Sequence, residues 1–407
     1  MGRTGRHADA GLPEGGIVTN RNPMKDQVAI VGLGSTGFSR EGGASSLAMA
    51  LAAATEAITD AGLTAADIDG IVATNEPGAT GPEKIAAGLG IAEATHHTKP
   101  TPVAMFSLLD AARAVFTGAA DHVLVVTPVV MGPWNSRRAA ADPWRRGARS
   151  GILPVPEDAT MAAAYAAWAS RYIHEYGATK DPFARVAINS RTNAAANPLA
   201  AVDTPLSFGA YEAARMIREP LNIYDMDLPV DGADAFVLTS AERARSLPHT
   251  PVLIHAATSG IVGKNDEDQL DGLHRTGQHV VVDQLRRTSD IWIDDIDLFY
   301  PYEGFTIITL TWFENCGFCA PGEAERFLRE HWNDDAQRIE IHGRIPVNTH
   351  GGSLSEGATR GTGHLREAVH QLRGTAGPRQ VDYARAALVT PGGFFFNPQG
   401  AVLRTAL

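Results

Sequence analysis

The 407-residue chain has only two cysteines, Cys316 and Cys319, set as Cys-Gly-Phe-Cys. Two cysteines cannot build a disulfide framework, and their scarcity suits a reducing compartment. A structural zinc would need two more ligands at finger spacing, and none lies nearby, so no metal site is expected. A thioredoxin-like pair would open a helix after a strand. This one follows "TLTWFEN", which reads as the end of an apolar helix. Long apolar runs are also lacking: none approaches the roughly 18 residues of a membrane helix. The first 26 residues are polar and glycine-rich without an apolar centre, which predicts a flexible N-terminal arm (1–26) rather than a secretory signal, and a cytoplasmic protein. Positive charge is in deficit. The formal net charge is −11, which argues against a general nucleic-acid binder. The arginine-rich stretch "NSRRAAADPWRRGARSG" (135–151) is the exception, and it reads either as a solvated loop or as an anion-binding segment.

What is present is an alternation of strand and helix patterns. "QVAIVGLG" (27–34) is a short β-branched apolar run. In the segment after it, Leu47, Leu51, Ala54 and Ile58 form one helical stripe, with Ser45 or Ser46 to cap it and Gly62 to end it. "DIDGIVAT", a helix over Phe106–Thr117 and "HVLVVTP" continue the alternation, which predicts an α/β layered fold with a buried sheet. The pattern then returns. "IDDIDLFYPYEGF" echoes "AADIDGIVATNEPG", "RAALVTPGGF" echoes "DHVLVVTPVV", and "TPVLIHAATSG" opens a second half as 27–34 opens the first. A duplicated domain follows: a first half at 27–249 with an insertion at about 131–225, and a second half at 250–407. "GLGSTG" (32–37) satisfies the G-x-G-x-x-G pattern, but "FSREGGASS" separates it from any helical periodicity. A dinucleotide site needs the helix to open inside the motif, so the reading here is a strand end and tight turn.

The segments that remain are "VAIVGLGSTGFSR", "GAADHVLVV", "INSRTNAAANPLA", "PLNIYDMDLPVDGADAFVLTS", "YPYEGFT" and "VNTHGGSLSEG…GTGHLREAVHQLRG". Together they resemble the thiolase superfamily, in its sterol-carrier-type, lipid-transfer-protein-like branch. The resemblance covers nearly the whole chain from about residue 27. It implies a homodimer of duplicated, layered αβαβα subunits that binds a coenzyme A thioester as substrate, with no tightly bound cofactor. A thiolase needs a nucleophilic cysteine, an activating histidine, a second cysteine and a motif that holds the thioester oxygen. By position these fall at Thr101, Ala358, Thr390 and "YEGF" with Tyr302 and Glu303, so the sulfur chemistry is absent.

Relatives without that machinery include aldolases that cleave β-hydroxyacyl-CoA thioesters in steroid side-chain degradation, partnered by a protein with zinc-ribbon and OB-fold domains. The resemblance to them implies Tyr302 as acid/base group, with Glu303, His350 and His364 as helpers. It also implies Asn348, Gly351, Gly352, Arg360, Gly361, Gly363, Thr101 and Thr390 around the substrate. In the glycine-rich loop, backbone amides are expected to approach the ligand, and the helix after Gly361 and Gly363 to point its N-terminus at an oxygen. A second tyrosine that those aldolases carry near position 358 is missing here. Two other functions stand beside the lyase: an acyl-CoA C-acyltransferase of unusual mechanism, and a non-catalytic acyl-CoA-binding or scaffold subunit.

Overall fold

The computed structural model describes residues 22–74, 79–100, 104–131, 161–262, 272–393 and 398–406. Among the described residues, nine strands form one sheet. From edge to edge they are His96–Thr98, Gly70–Ala73, His122–Val130, Asp231–Ser240, Val28–Ser39, Val252–Ser259, Gln399–Thr405, Ala386–Thr390 and Leu298–Pro301. The order is mirrored about the seam where Val28–Ser39 meets Val252–Ser259, antiparallel, through Ala29 opposite Leu253 and Ile30 opposite Val252. Moving outward from the seam, each side shows two antiparallel pairings and then a parallel one. His96–Thr98 is one additional parallel strand on the first side. The duplication heard in the sequence is therefore a duplication of strand order.

Side-chain alternation along the strands separates the layers. In the first strand Val28 and Ile30 face one apolar cluster, while Ala29 and Val31 face another. The second of these clusters packs the outer helix Ser46–Asp60. The first is central: it holds strands of both halves together with two helices, Ala104–Thr117 and Thr362–Arg373. A third cluster, on the outer face of the second half, holds helices Gly277–Thr288 and Thr306–Cys316. Outer helices, the strands of one half, central helices, the strands of the other half and outer helices make the αβαβα layering of a duplicated α/β fold.

The first strand runs through its glycines to Ser39, longer than the apolar run alone indicates, and the helix begins at Ser46 with Ser45 as cap. A Cβ on Gly32 or Gly34 would strike the carbonyl of Ala57 or Ala53. Those glycines let strand and helix close together, which is what the G-x-G spacing serves here. Of the residues read as an arm, 1–21 lie outside those described. The next five are tied down: Asn22 donates to the carbonyl of His255 (2.8 Å), and Asp26 pairs with Arg404 (3.0 Å) and His255 (3.1 Å). Residues 132–160, with the arginine-rich stretch, lie outside the described residues. From 161 onward, helices Met161–Tyr176 and Asp181–Ala194 pack Tyr165, Tyr172 and Phe183 into the third cluster, against the second half.

Candidate active site

The second half's parallel edge strand ends at Pro301 and delivers Tyr302 and Glu303 before the next helix starts at Thr306. The Tyr302 amide donates to the carbonyl of Thr390 (3.1 Å), at the end of the neighbouring strand. Glu303 is fully buried. Its carboxylate accepts from Asn348 Nδ2 (2.7 Å) and from the Ser353 amide, and lies 2.9 Å from His364 Nε2. The glycines of the loop make this approach possible. Gly352 has φ +59°, and a Cβ there would collide with the Glu303 carboxylate. A Cβ on Gly351, at φ +96°, would come within 2.6 Å of Ala194.

His350 and His364 stack edge to face, with ring centroids 4.8 Å apart, and the His364 ring is 6.0 Å from that of Tyr302. Helix Asp181–Ala194 and the turn after it clamp the loop from outside. Asn189 and Asn193 donate to the carbonyl of Val347 (3.0 and 2.9 Å), and Asn197 donates to that of His350 (2.8 Å). This clamp holds Asn348 at φ +50°.

Tyr302 is only half-buried, as are Asp227 and Arg360 beside it. The Tyr302 hydroxyl donates to Asp227 Oδ2 (3.3 Å). Asp227 sits on a strap laid over the loop: its amide donates to the Gly304 carbonyl, that of Leu228 to Ser353, and that of Ala358 to Leu228. Burial, reinforced by the Asp227 carboxylate and opposed by Arg360, pushes the Tyr302 hydroxyl well above its ordinary value. Burial raises Asp227 to about 6, with Arg360 and the Tyr302 hydroxyl pulling the other way. His350 is driven well below the usual imidazole range by burial and by the neighbouring His364, Arg366 and Arg379. The arrangement is a half-open mouth of tyrosine, aspartate and arginine over a closed floor of glutamate and two histidines.

The floor carries many polar atoms with no hydrogen-bond partner among the described residues. They include both nitrogens of His350, His364 Nδ1, Asn348 Oδ1, Ser353 Oγ and Thr390 Oγ1. Each such atom costs about 1–3 kcal/mol when left unpaired. A cluster of them in a packed interior marks a place prepared for a polar ligand or water.

The residues expected around the substrate are not all used as the sequence suggested. Asn348 spends its amide group on Glu303 and the Pro301 carbonyl, so only its oxygen is left. The Gly363 amide is taken by Thr359 Oγ1 (2.9 Å), and Gly361 packs against Pro391 in a left-handed cap. These two glycines serve close packing rather than presenting amides. Thr101 lies outside the described residues; Ala104, just after them, donates to the Arg360 carbonyl (3.0 Å). Sequence reasoning missed Asp227 altogether. An acidic residue in the quoted segment "YDMDLPVDGAD", bracketed by apolar residues, is the one signal that pointed there.

The two cysteines are elsewhere. Cys316 is buried at the far end of helix Thr306–Cys316, about 15 Å of helix from its start beside the site. Among the described residues no group of three or more His, Cys, Asp or Glu is placed to hold a metal ion, and no helix is long and apolar enough to cross a membrane.

The thiolase C-terminal domain-like family matches residues 269–405. The steroid side-chain-cleaving aldolase of Thermomonospora curvata is 35% identical over 380 residues, covering 89% of this chain and 94% of the relative. The 17-hydroxy-3-oxo-4-pregnene-20-carboxyl-CoA lyase of Mycobacterium tuberculosis is 36% identical over 393 residues, covering 91% and 97%. The solved Ltp2-ChsH2(DUF35) aldolase superposes with a TM-score of 0.82 at 34% identity, over 94% of this chain and 98% of that one. With the mirrored fold and a site without sulfur, these likenesses show that the chain belongs to the thiolase superfamily, in the thiolase-like branch that lacks the catalytic cysteines and includes the steroid side-chain-cleaving aldolases.

Proposed function

We propose that this protein is a carbon–carbon lyase that cleaves a bulky β-hydroxyacyl-CoA of the steroid side-chain type by a retro-aldol reaction. One observation carries the reading: the Tyr302–Asp227 pair stands at the mouth of a buried polar floor, and the chain's only two thiols lie outside it. Retro-aldol cleavage needs a base for the β-hydroxyl proton, a place for the thioester enolate and a proton for its α-carbon. It needs no covalent intermediate.

Asp227, raised to about 6, is ionised near neutrality yet still basic enough to take the hydroxyl proton. As that O–H bond breaks, the carbonyl product forms, the Cα–Cβ bond breaks and its electron pair enters the thioester as an enolate. Tyr302 is held protonated, so it acts as the acid: it protonates the α-carbon and recovers its proton from Asp227. The proton count closes without an outside donor. Arg360 steadies charge at the mouth, while His364, held by Glu303, and His350 beside it face the thioester oxygen, with Asn348 holding Glu303 and Thr390 holding the Tyr302 backbone. Coenzyme A enters as part of the substrate. The likeness to the Ltp2-ChsH2(DUF35) aldolase supports a second protein component, for which the family resemblance suggests OB-fold and zinc-ribbon domains, alongside a homodimer of this chain.

The test is incubation, with and without such a partner, with a panel of β-hydroxyacyl-CoA and β-ketoacyl-CoA esters, following products by mass. A ketone or aldehyde plus a shortened acyl-CoA, formed without added free coenzyme A, is expected. Turnover of only the β-keto esters, and only with free coenzyme A, would mean thiolysis and defeat the proposal.

A further inference from the structure

Behind the mouth lie four carboxyl groups, Glu303, Glu356, Asp234 and Glu367, none more than 2% exposed. Two guanidinium groups face them. Arg366 bridges Asp234 and Glu356, and Arg379 grips Glu367 (2.8 Å). Four negative charges against two positive ones leave two uncompensated charges in a closed interior, at a cost of several kcal/mol each. Such a cluster retains protons instead. Glu303 lies 2.9 Å from His364 Nε2.

A retained proton has a visible place at Glu356. Glu356 Oε1 accepts from Arg366 and from Asn197 Nδ2 (3.1 Å), but Oε2 has no hydrogen-bond partner among the described residues. That bare oxygen lies 3.7 Å from His350 Nε2, which is equally bare, as is Nδ1 across the same ring. A buried neutral imidazole carries one N–H, and what its other nitrogen accepts decides which nitrogen that is.

We propose that Glu356 is a positioning residue that sets the tautomer of His350: its protonated carboxyl donates through Oε2 to Nε2, which leaves the ring proton on Nδ1 as a donor to the substrate's thioester oxygen. This rests on the cleavage reading above. The 3.7 Å gap closes to an ordinary hydrogen bond with a shift of about 1 Å. When Glu356 ionises, Oε2 accepts instead, the ring proton moves to Nε2, and Nδ1 turns a lone pair toward the developing enolate. Burial raises Glu356 to about 7, Arg366 opposes this, and Asp234 and Glu367 add to it, so the switch falls near neutral pH. Burial, reinforced by the neighbouring His364, Arg366 and Arg379, keeps the His350 ring neutral on either side of the switch.

The substitution E356Q tests this, because the flanking donors orient the new amide. Arg366 and Asn197 both donate to the Oε1 position, so the glutamine carbonyl takes that place and its NH2 faces His350. The variant therefore locks the Nδ1–H tautomer. Selective ¹⁵N-histidine NMR of the full chain, with H350Q to assign the signal, reads the tautomer directly. The wild-type ring is expected to pass from Nδ1–H to Nε2–H as pH rises through about 7, and kcat to fall with it. In E356Q the ring stays Nδ1–H and the alkaline fall in kcat disappears. A wild-type ring that is Nε2–H throughout, or that becomes imidazolium in this range, overturns the proposal. So does an E356Q profile parallel to wild type. The wild-type titration stands alone if the variant does not fold. A tautomer switch in a protein that cleaves no β-hydroxyacyl-CoA would refute the cleavage reading and leave the Glu356–His350 linkage intact.

Discussion

The two central helices occupy equivalent places in the two halves, and they could hardly be less alike. Ala104–Thr117 buries Met105, Leu108, Leu109, Ala111 and Val115, with Ser107 as its one buried polar residue. Thr362–Arg373 buries His364, Arg366, Glu367 and Gln371 at the same depth, among Leu365, Val369 and Leu372. Apolar burial is the inexpensive way to fill a layer. Buried charges are costly unless they answer one another, and a half-answered network is worse than none. The difference shows that one copy's central helix is an apolar frame and the other's carries a buried network of charged and polar groups. The frame's regularity allows the second helix to carry a network that a small isolated domain would not tolerate.

The largest effect lies at the mouth, where Asp227 of the first half meets Tyr302 of the second. Y302F removes the proposed acid and D227N the proposed base. Each is expected to lower kcat by about 100- to 10,000-fold with little change in KM, as loss of a general acid or base does. The pH dependence follows from the raised Asp227. Its folded-state value, about 6 against the ordinary 3.8, means that the folded protein holds a proton the unfolded chain has released. Stability therefore falls as pH rises from about 3.8 to about 6, while the base becomes active over the upper part of that range. D227N should then be inactive yet melt at a higher temperature than wild type at pH 7. Full turnover by D227N on a β-hydroxyacyl-CoA would remove the aspartate from the mechanism.

Between the two helices themselves, L108A and R366M make a matched pair. L108A opens a cavity in the apolar helix and should cost about 2–5 kcal/mol in a urea melt, with kcat of the folded enzyme unchanged within about twofold. R366M leaves Asp234 and Glu356 buried without their shared cation and should cost about 3–5 kcal/mol. It should also move the pH profile, since the groups it strands are titratable. If both variants lose only stability and keep the wild-type profile, the charged helix is a structural curiosity and the contrast has no catalytic meaning.

Much of the frame was legible before any coordinates, because periodicity reports which face of an element is buried, and the echoes between halves report repetition. Ala54, Ile58 and Gly62 behave as their spacing indicates, while Leu47 and Leu51 of the same stripe are only partly buried and the buried face turns through Met49, Ala50, Ala53 and Ala57. Tyr302, Glu303, His350 and His364 come together because two motifs, 45 or more residues apart, end neighbouring parts of the same layer. What stayed hidden was pairing at long range. Asp227 meets Tyr302 across 75 residues, and Arg366 meets Asp234 across 132. No local pattern records which buried acid faces which cation, since the layers decide it. Glycine was ambiguous for a related reason. A glycine that lets an amide reach a ligand and one that lets two backbones touch look identical in sequence, and Gly363 proves to be the second kind.

The smallest expected effect is also a clean way to break the argument, because it concerns sulfur. Cys316 is closed in the outer cluster of the second half, and Cys319 sits just past the left-handed cap at Gly317. Burial pushes both thiols up, and nearby Glu314 and Glu323 push Cys319 further, so very little thiolate exists at neutral pH. Iodoacetamide should react slowly, and C319S should turn over substrate at the wild-type rate. A thiolate in the reaction path would behave otherwise: alkylation would abolish turnover in step with the label, and bound acyl-CoA would protect against it. That outcome would require the helix of Thr306–Cys316 to bring its far end to the substrate, about 15 Å from where its first turn meets the site. A rearrangement of that size would unmake the layer that positions Tyr302 and Glu303. Sulfur catalysis and the observed fold therefore exclude each other in this chain, and the alkylation experiment decides between them.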